Sequence, residues 1–426
     1  MRNGLWPRVR SLAALLAPLL LFAVLPTFAG AQVVDVPPPT VVPVPGGGTS
    51  PSPFQTALRT PPPTTQPPEI KAASAVLADL DSGQILFAKN PDQRRAIASL
   101  TKIMTALLTL ERASPQEVVT VSSEAADPGP IVGISQLGLV PGERISVQRL
   151  LYALILQSAN DAALALAEHV SGTAEDFVRT MNSRAKHLGL ADTRFTSPNG
   201  LDDAGYSSAS DLADLTRLAY EEPLFGQIAR TKYREIPAPE GEPRVIQNRN
   251  VLLWLYPGAI GVKTGYTSRA GFCVIGAAER NGLRLVAVVL GEPGEPFSDA
   301  AALLNYGFAA FERRSLVDAG EQVVSVPIDG RQVPVAAGSG LVGLVPIGAE
   351  VQREVSVDPG VSFPPGVGET VGDLKVSVPG LRVGTVPLVV VSVPGPPSPA
   401  EPGPWWHRAT SSVVSALDGV LSALFG

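Results

Sequence analysis

Three short stretches hold side chains that could make and break an acyl bond. Ser99 and Lys102 lie three residues apart, Ser158 and Asn160 lie two apart, and Lys263-Thr264-Gly265 follows far downstream. A serine hydroxyl is a poor nucleophile until a base is within hydrogen-bond reach. Lys102 can be that base if burial and a neighbouring cation push its pKa well below the free value of about 10.4. Lys263 is the candidate neighbour. Ser158 offers a hydroxyl that can relay a proton, and Asn160 offers an amide that can hold a peptide.

The three stretches differ in how much they say alone. Lysine is scarce, so Lys-Thr-Gly arises by chance in about one such chain in thirty. Ser-x-x-Lys recurs at Ser183-Arg184-Ala185-Lys186, and Ser-x-Asn recurs at Ser197-Pro198-Asn199. Context separates the first two. Ser99 to Arg112 is apolar on nearly every side, the pattern of a helix buried in a core. Ser99 and Lys102 share one face at its start, where the helix dipole favours a developing oxyanion. Ser183 and Lys186 sit among Asn182, Arg184 and His187, which reads as a solvated face. Asn160 or Asp161 also reads as a cap for the helix that follows.

The elements that must position these residues begin at Ala73. Ala75-Val76-Leu77 and Gln84-Ile85-Leu86-Phe87 read as strands joined by an Asp81-Ser82-Gly83 turn. Val147–Leu156 and Asp161–Val170 read as helices. After a loop-rich stretch, Ala259–Thr267, Gly271–Ala277 and Arg284–Leu290 read as strands and Ala300–Phe311 as a closing helix. The mixture predicts an α/β (α+β) domain, a sheet covered by helices. Farther on, short Val-rich strands at Val323–Val326, Val333–Val335, Val355–Val357, Leu374–Val376 and Leu388–Val391 predict a small all-β domain.

These readings divide the 426 residues into six segments. Residues 1–31 have the basic start, apolar run and Ala29-Gly30-Ala31 site of a cleaved secretory signal. Residues 32–69 are a Pro-rich linker. Residues 70–314 are the catalytic region, 315–393 the β domain and 394–404 a second Pro-rich linker. Residues 405–426 read as an amphipathic helix, with Trp406, Val413, Leu417, Val420, Leu421 and Leu424 opposite Ser411, Ser415, Asp418 and Ser422. Such a helix lies on a membrane surface. The protein is therefore expected outside the cytoplasm, peripheral on the outer face of the cytoplasmic membrane or secreted.

Composition excludes several classes. Net charge is −6 with 17% charged residues, so no nucleic-acid partner is expected. The single cysteine, Cys273, allows no internal disulfide. His169, His187 and His407 are too few and too dispersed for a Ser-His-Asp triad or a zinc site. No metal and no cofactor is expected.

Taken in order, Ser-x-x-Lys, Ser-x-Asn and Lys-Thr-Gly resemble the motif set of penicillin-binding proteins and serine β-lactamases. The likeness extends to Ala98–Ala106, Leu150–Leu154, Ser158–Ala163, Tyr206–Ala209 and Gly261–Thr267, so that residues 73 to 310 resemble the serine D-alanyl-D-alanine carboxypeptidases. Gly368-Glu369-Thr370-Val371-Gly372 resembles the β domain that follows in many members. The resemblance implies a serine β-lactamase/transpeptidase-like fold with an antiparallel sheet. It implies acylation of Ser99 by peptidoglycan stem peptides and by β-lactams. Lys102 would be the base, Ser158 the proton relay and Asn160 a substrate contact. Lys263 would set the field, Thr264 and Thr267 would bind the substrate carboxylate, and the Ser99 and Tyr266 N–H groups would form the oxyanion hole beside Gly265. Many members have an arginine shortly before the closing helix, and residues 292–299 have none; Arg269 is the candidate substitute. The Glu-x-x-Leu-Asn segment of class A β-lactamases is absent between Asp161 and Lys263, where Glu221-Glu222-Pro223-Leu224 comes nearest. Cleavage of cross-linked D-Ala peptides, and a slow penicillin sensor, stand as alternatives.

Overall fold

The computed structural model describes residues 64–127, 134–202 and 204–395, together with Val414 and Leu417. Its centre is a five-stranded antiparallel sheet in the order Ile85–Lys89, Ser74–Asp79, Leu283–Glu292, Gly271–Arg280, Ala259–Thr267. Local chemistry sets the two tight hairpins. The Asp79 carboxylate accepts from the Ser82 hydroxyl at 2.7 Å and holds the first turn. Asn281 and Gly282, both at positive φ, make the second, the conformation that an Asn-Gly hairpin needs.

Both faces of the sheet are covered, which is why its strands read as almost unbroken apolar runs. Val76, Ala78, Ile275, Val286 and Val288 face the large helical core. Ala75, Leu77, Val274, Leu285 and Val289 face the closing helix Pro296–Ala310. That helix starts four residues before the expected Ala300, because Pro296 occupies its first turn, where a missing N–H costs nothing. Phe311, expected in the helix, opens a strand instead. Cys273 lies on the inner face opposite Gly265 and is 1% exposed. Burial pushes its thiol up to about 11.

The helical side is where sequence and structure part. Helix Lys102–Arg112 is buried along most of its length, as expected, against Asn160–Ser171 and Ala209–Ala219. The stretch between residues 171 and 258, read as loop-rich, instead holds helices Ala174–His187, Ala209–Ala219, Pro223–Ala229 and Leu252–Leu255. It also holds a hairpin of Tyr233–Ile236 with Arg244–Gln247. Helix Ala174–His187 buries only Phe177, Met181 and Ala185, a stripe too narrow to dominate its polar composition. Its signal was the cap, for the Thr173 side chain accepts from Asp176 N at 3.0 Å.

The carboxyl-terminal region has its own core, formed by a five-stranded antiparallel sheet in the order Gln322–Ile328, Arg331–Ala337, Leu381–Val390, Thr370–Val378, Gln352–Val357. A further pair, Phe311–Val317 with Leu341–Pro346, was not foreseen. It joins the two regions. Phe311 follows the closing helix directly, and both Phe311 and Leu344 pack in the core under the first five-stranded sheet. Gln84 in the first hairpin grips Leu344 with both ends of its amide, Nε2 donating to O at 2.7 Å and Oε1 accepting from N at 2.9 Å. Arg313 adds ion pairs to Asp79 and Asp81.

The expected signal segment, most of both linkers and the terminal helix lie outside the described residues. Within the last of these, Val414 and Leu417 are helical and exposed. Among the described residues no helix is long and apolar enough to cross a membrane.

Candidate active site

The site is built around one turn of 3-10 helix, Ala98–Thr101, that runs without a break into Lys102–Arg112. The helix proper therefore starts one turn after Ser99, not at it. Ala98 has φ +47°, a left-handed conformation that a non-glycine residue adopts only when its surroundings impose it. Two glycines press on this turn. A Cβ on Gly265 would stand 3.1 Å from both Ile97 O and Ser99 N. A Cβ on Gly200, itself at φ +74°, would fall 2.0 Å from Ala98 O. Gly200 has no room for a side chain, and at Gly265 one would fit only if the turn gave way by a few tenths of an ångström.

Lys102 is fully buried directly behind Ser99. Its Nζ lies 2.9 Å from Ser99 Oγ, 2.8 Å from Asn160 Oδ1 and 2.7 Å from Asn199 O. The last two atoms can only accept. A neutral amine has two N–H bonds and one lone pair, so its N–H bonds go to Asn160 and Asn199 and its lone pair is left facing the serine hydroxyl. That is the arrangement of a base about to receive a proton. Burial lowers the Lys102 pKa to about 7, and the negative charge of Asp161 works against the fall. Asn160 is held in turn, its Nδ2 donating to Ser135 O at 2.9 Å.

Lys263 is equally buried, on the edge strand Ala259–Thr267, and donates to Thr264 O at 2.9 Å. Burial, then the charges of Lys102 and Arg249, hold its pKa well below the ordinary lysine value. The positive charge of Lys102 thus disfavours a second ammonium at Lys263. Ser158 is buried at φ +63°, just after a wide helical turn over Ala153–Gln157. Its hydroxyl makes no side-chain hydrogen bond to another described residue. Asn160 and Asp161 are the first residues of helix Asn160–Ser171, whose N-cap is Ala159. Neither is the cap, which corrects that expectation.

The structure thus brings Ser99, Lys102, Asn160 and Gly265 into one site, with the charge of Lys102 acting on Lys263. Thr264, Tyr266 and Thr267 line the same edge strand. The Tyr266 ring packs on Phe272 at 4.6 Å, and Thr267 Oγ1 accepts from Ala270 N at 3.0 Å. Among the described residues the strand has a neighbour on one side only, so its other edge can take an extended peptide as an added strand. Ser183 and Lys186 are exposed on helix Ala174–His187, as their surroundings indicated. Arg269 is exposed in the turn after Thr267, whereas the arginine whose charge reaches Lys263 is Arg249. Ser197-Pro198-Asn199, set aside as a chance repeat of Ser-x-Asn, enters the site through the Asn199 carbonyl. Thr105 on helix Lys102–Arg112 anchors this segment through Pro198 O at 2.5 Å.

A family model described as D-alanyl-D-alanine carboxypeptidase matches residues 62–294. The D-alanyl-D-alanine carboxypeptidase DacF of Bacillus subtilis is 34% identical over 318 residues, 71% of this chain and 81% of that protein. The crystal structure of penicillin binding protein 5 from Haemophilus influenzae has a TM-score of 0.65 at 32% identity, covering 78% of this chain and 99% of its own. The D-alanyl-D-alanine carboxypeptidase DacD of Francisella tularensis has a TM-score of 0.66 at 26% identity, covering 78% and 95%.

Proposed function

The chain belongs to the D-alanyl-D-alanine carboxypeptidase family, and from that premise we propose how its own residues carry the reaction. It is a serine peptidase of the cell wall that removes the terminal D-Ala from peptidoglycan stem pentapeptides, and β-lactams acylate the same serine. Ser99 Oγ attacks the carbonyl of the penultimate D-Ala while Lys102 Nζ takes the hydroxyl proton. The N–H groups of Ser99 and Tyr266 receive the oxyanion. The intermediate collapses, and the departing D-Ala amine takes its proton from Lys102 through Ser158. Water then cleaves the ester, with Lys102 again the base. Asn160 orients Lys102 and meets the peptide, Lys263 supplies the positive field, and Thr264 and Thr267 bind the substrate carboxylate beside Gly265.

The observation that carries this reading is the set of three oxygens around Lys102 Nζ, two of which can only accept and the third of which is the Ser99 hydroxyl. The experiment is incubation with a stem pentapeptide and with a cross-linked dimer, followed by product analysis and by mass spectrometry of a penicillin adduct. Free D-Ala from the pentapeptide and an adduct on Ser99 are expected, both lost in Ser99→Ala. An adduct on another residue would remove Ser99 as nucleophile, and cleavage of the dimer alone would make the enzyme an endopeptidase.

The enzyme acts outside the cytoplasm, and its amphipathic tail 405–426 holds it on the membrane surface. The pattern of Trp406, Leu417, Leu421 and Leu424 supports this. Deleting the tail should release active enzyme from membranes with its melting temperature unchanged. Retention after deletion would assign anchoring to residues 1–31.

A further inference from the structure

The aspartate that follows Asn160 has no part in the mechanism above, yet it is completely buried and heavily engaged. Its Oδ1 accepts from Leu137 N at 2.9 Å and from Ala162 N at 2.8 Å, and its Oδ2 accepts from Gly138 N at 2.8 Å and Leu139 N at 3.0 Å. Four N–H donors converge on one carboxylate, which has about four acceptor positions to offer. Three of the donors belong to a loop, residues 137–139, that has no sheet or helix partner to satisfy them. Two residues upstream, the Ser135 carbonyl accepts both the backbone N–H of Asn160, at 2.8 Å, and its side-chain Nδ2, at 2.9 Å. The same loop is tied back by Ser135 Oγ to Gln157 O at 2.5 Å and by Gln157 Nε2 to Gln136 O at 2.6 Å.

We propose that Asp161 is a positioning residue for the reaction: its carboxylate binds the loop to the start of helix Asn160–Ser171, and through Ser135 this tie fixes Asn160 as the acceptor that aims Lys102 at Ser99. The inference rests on the reading of Lys102 as base. A carboxylate is required, because an amide in its place would turn N–H bonds toward the N–H groups of the loop and would release it. The same charge acts on Lys102 directly. The charged groups that face Lys102 are Asp161 from its helix and Lys263 from the edge strand, with Arg249 acting on Lys263. Asp161 is the negative member of this set, so its loss leaves an ammonium at Lys102 less stable.

The test is the rate of acylation of the full chain by a fluorescent penicillin as a function of pH, for the parent, Asp161→Asn and Asp161→Glu. Because Lys102 must be neutral to act, the parent rate rises with pH through the Lys102 pKa. In Asp161→Asn the high-pH plateau should fall about tenfold to a hundredfold, from misplacement of the base. The midpoint of the rise should move down, because the negative charge that favours the Lys102 ammonium is gone. Asp161→Glu keeps the charge and should keep the midpoint at a reduced plateau. A residue that only stabilised the fold would lower the rate without moving the midpoint, so an unmoved midpoint in Asp161→Asn overturns the proposal. If Asp161→Asn does not fold, amide exchange in the parent decides: Leu137, Gly138 and Leu139 should exchange as slowly as the adjoining helix, and exchange at open-loop rates overturns the tie. Failure of the base assignment is separate, since that would show as normal acylation of Lys102→Arg.

Discussion

At the scale of single residues, the geometry around a neutral Lys102 leaves one place for its lone pair. Asn160 Oδ1 and Asn199 O accept both N–H bonds of a neutral Lys102, and the serine hydroxyl is what remains. A guanidinium keeps its proton and has no lone pair to offer. Lys102→Arg should therefore lose acylation by at least about a hundredfold while still folding, and a labelled penicillin read on a gel checks this. With the Lys102 pKa near 7, the neutral fraction falls as pH falls. Acylation by the parent should drop about tenfold per unit well below that value; a flat profile from pH 8 to pH 5 would show that Lys102 is not the base. Ser99, Lys102 and Asn160, which the structure brings within hydrogen-bond reach of one another, stood out in the sequence by side-chain type and spacing. Asn199 did not, since it contributes a backbone carbonyl, which every residue type possesses. Arg249 was missed for another reason: it acts through a charge, from a segment without a motif, on a residue distant in sequence.

At the scale of elements, the turn that carries Ser99 is held between two segments that meet it backbone to backbone. Gly265 allows the edge strand to approach Ser99 N, and Gly200 allows the Asn199 carbonyl to reach Lys102. Gly200→Ala would place a methyl group against Ala98 O and would force a left-handed φ on alanine. It should cost at least about 2 kcal/mol and should reduce penicillin labelling even at temperatures where the variant is folded. A melting curve together with labelling kinetics tests both parts. Sheet strands were legible because burial on both faces leaves long apolar runs. Helix Ala174–His187 was legible only as a polar amphipathic stretch around Ser183 and Lys186, since three buried residues give too narrow a stripe to set its bounds unless the Thr173 cap is read first.

At the scale of the whole molecule, the catalytic and carboxyl-terminal regions share a core and do not merely touch. Phe311 and Leu344 pack under the catalytic sheet, and the Gln84 amide completes the hydrogen bonding of Leu344 as a strand neighbour would. Gln84→Ala should cost about 1–2 kcal/mol, two ordinary hydrogen bonds, and a few degrees of melting temperature. Arg313→Ala should cost less, because the arginine and Asp81 are partly open to water, at 38% and 27% side-chain exposure, and only Asp79 is buried. Equal losses for the two would mean that the ion pairs matter as much as the amide. The same packing gives Cys273 a use that has nothing to do with catalysis. It is the one thiol in the chain, it lies across from Gly265 on the strand next to the free edge, and solvent does not reach it. A thiol reagent can react only when the edge strand lifts or the sheet opens, so its reaction rate is a clock for that opening. A penicillin joined to Ser99 and seated along the edge strand should slow the clock, and the ratio of the two rates would measure how firmly an acyl group clasps the site shut.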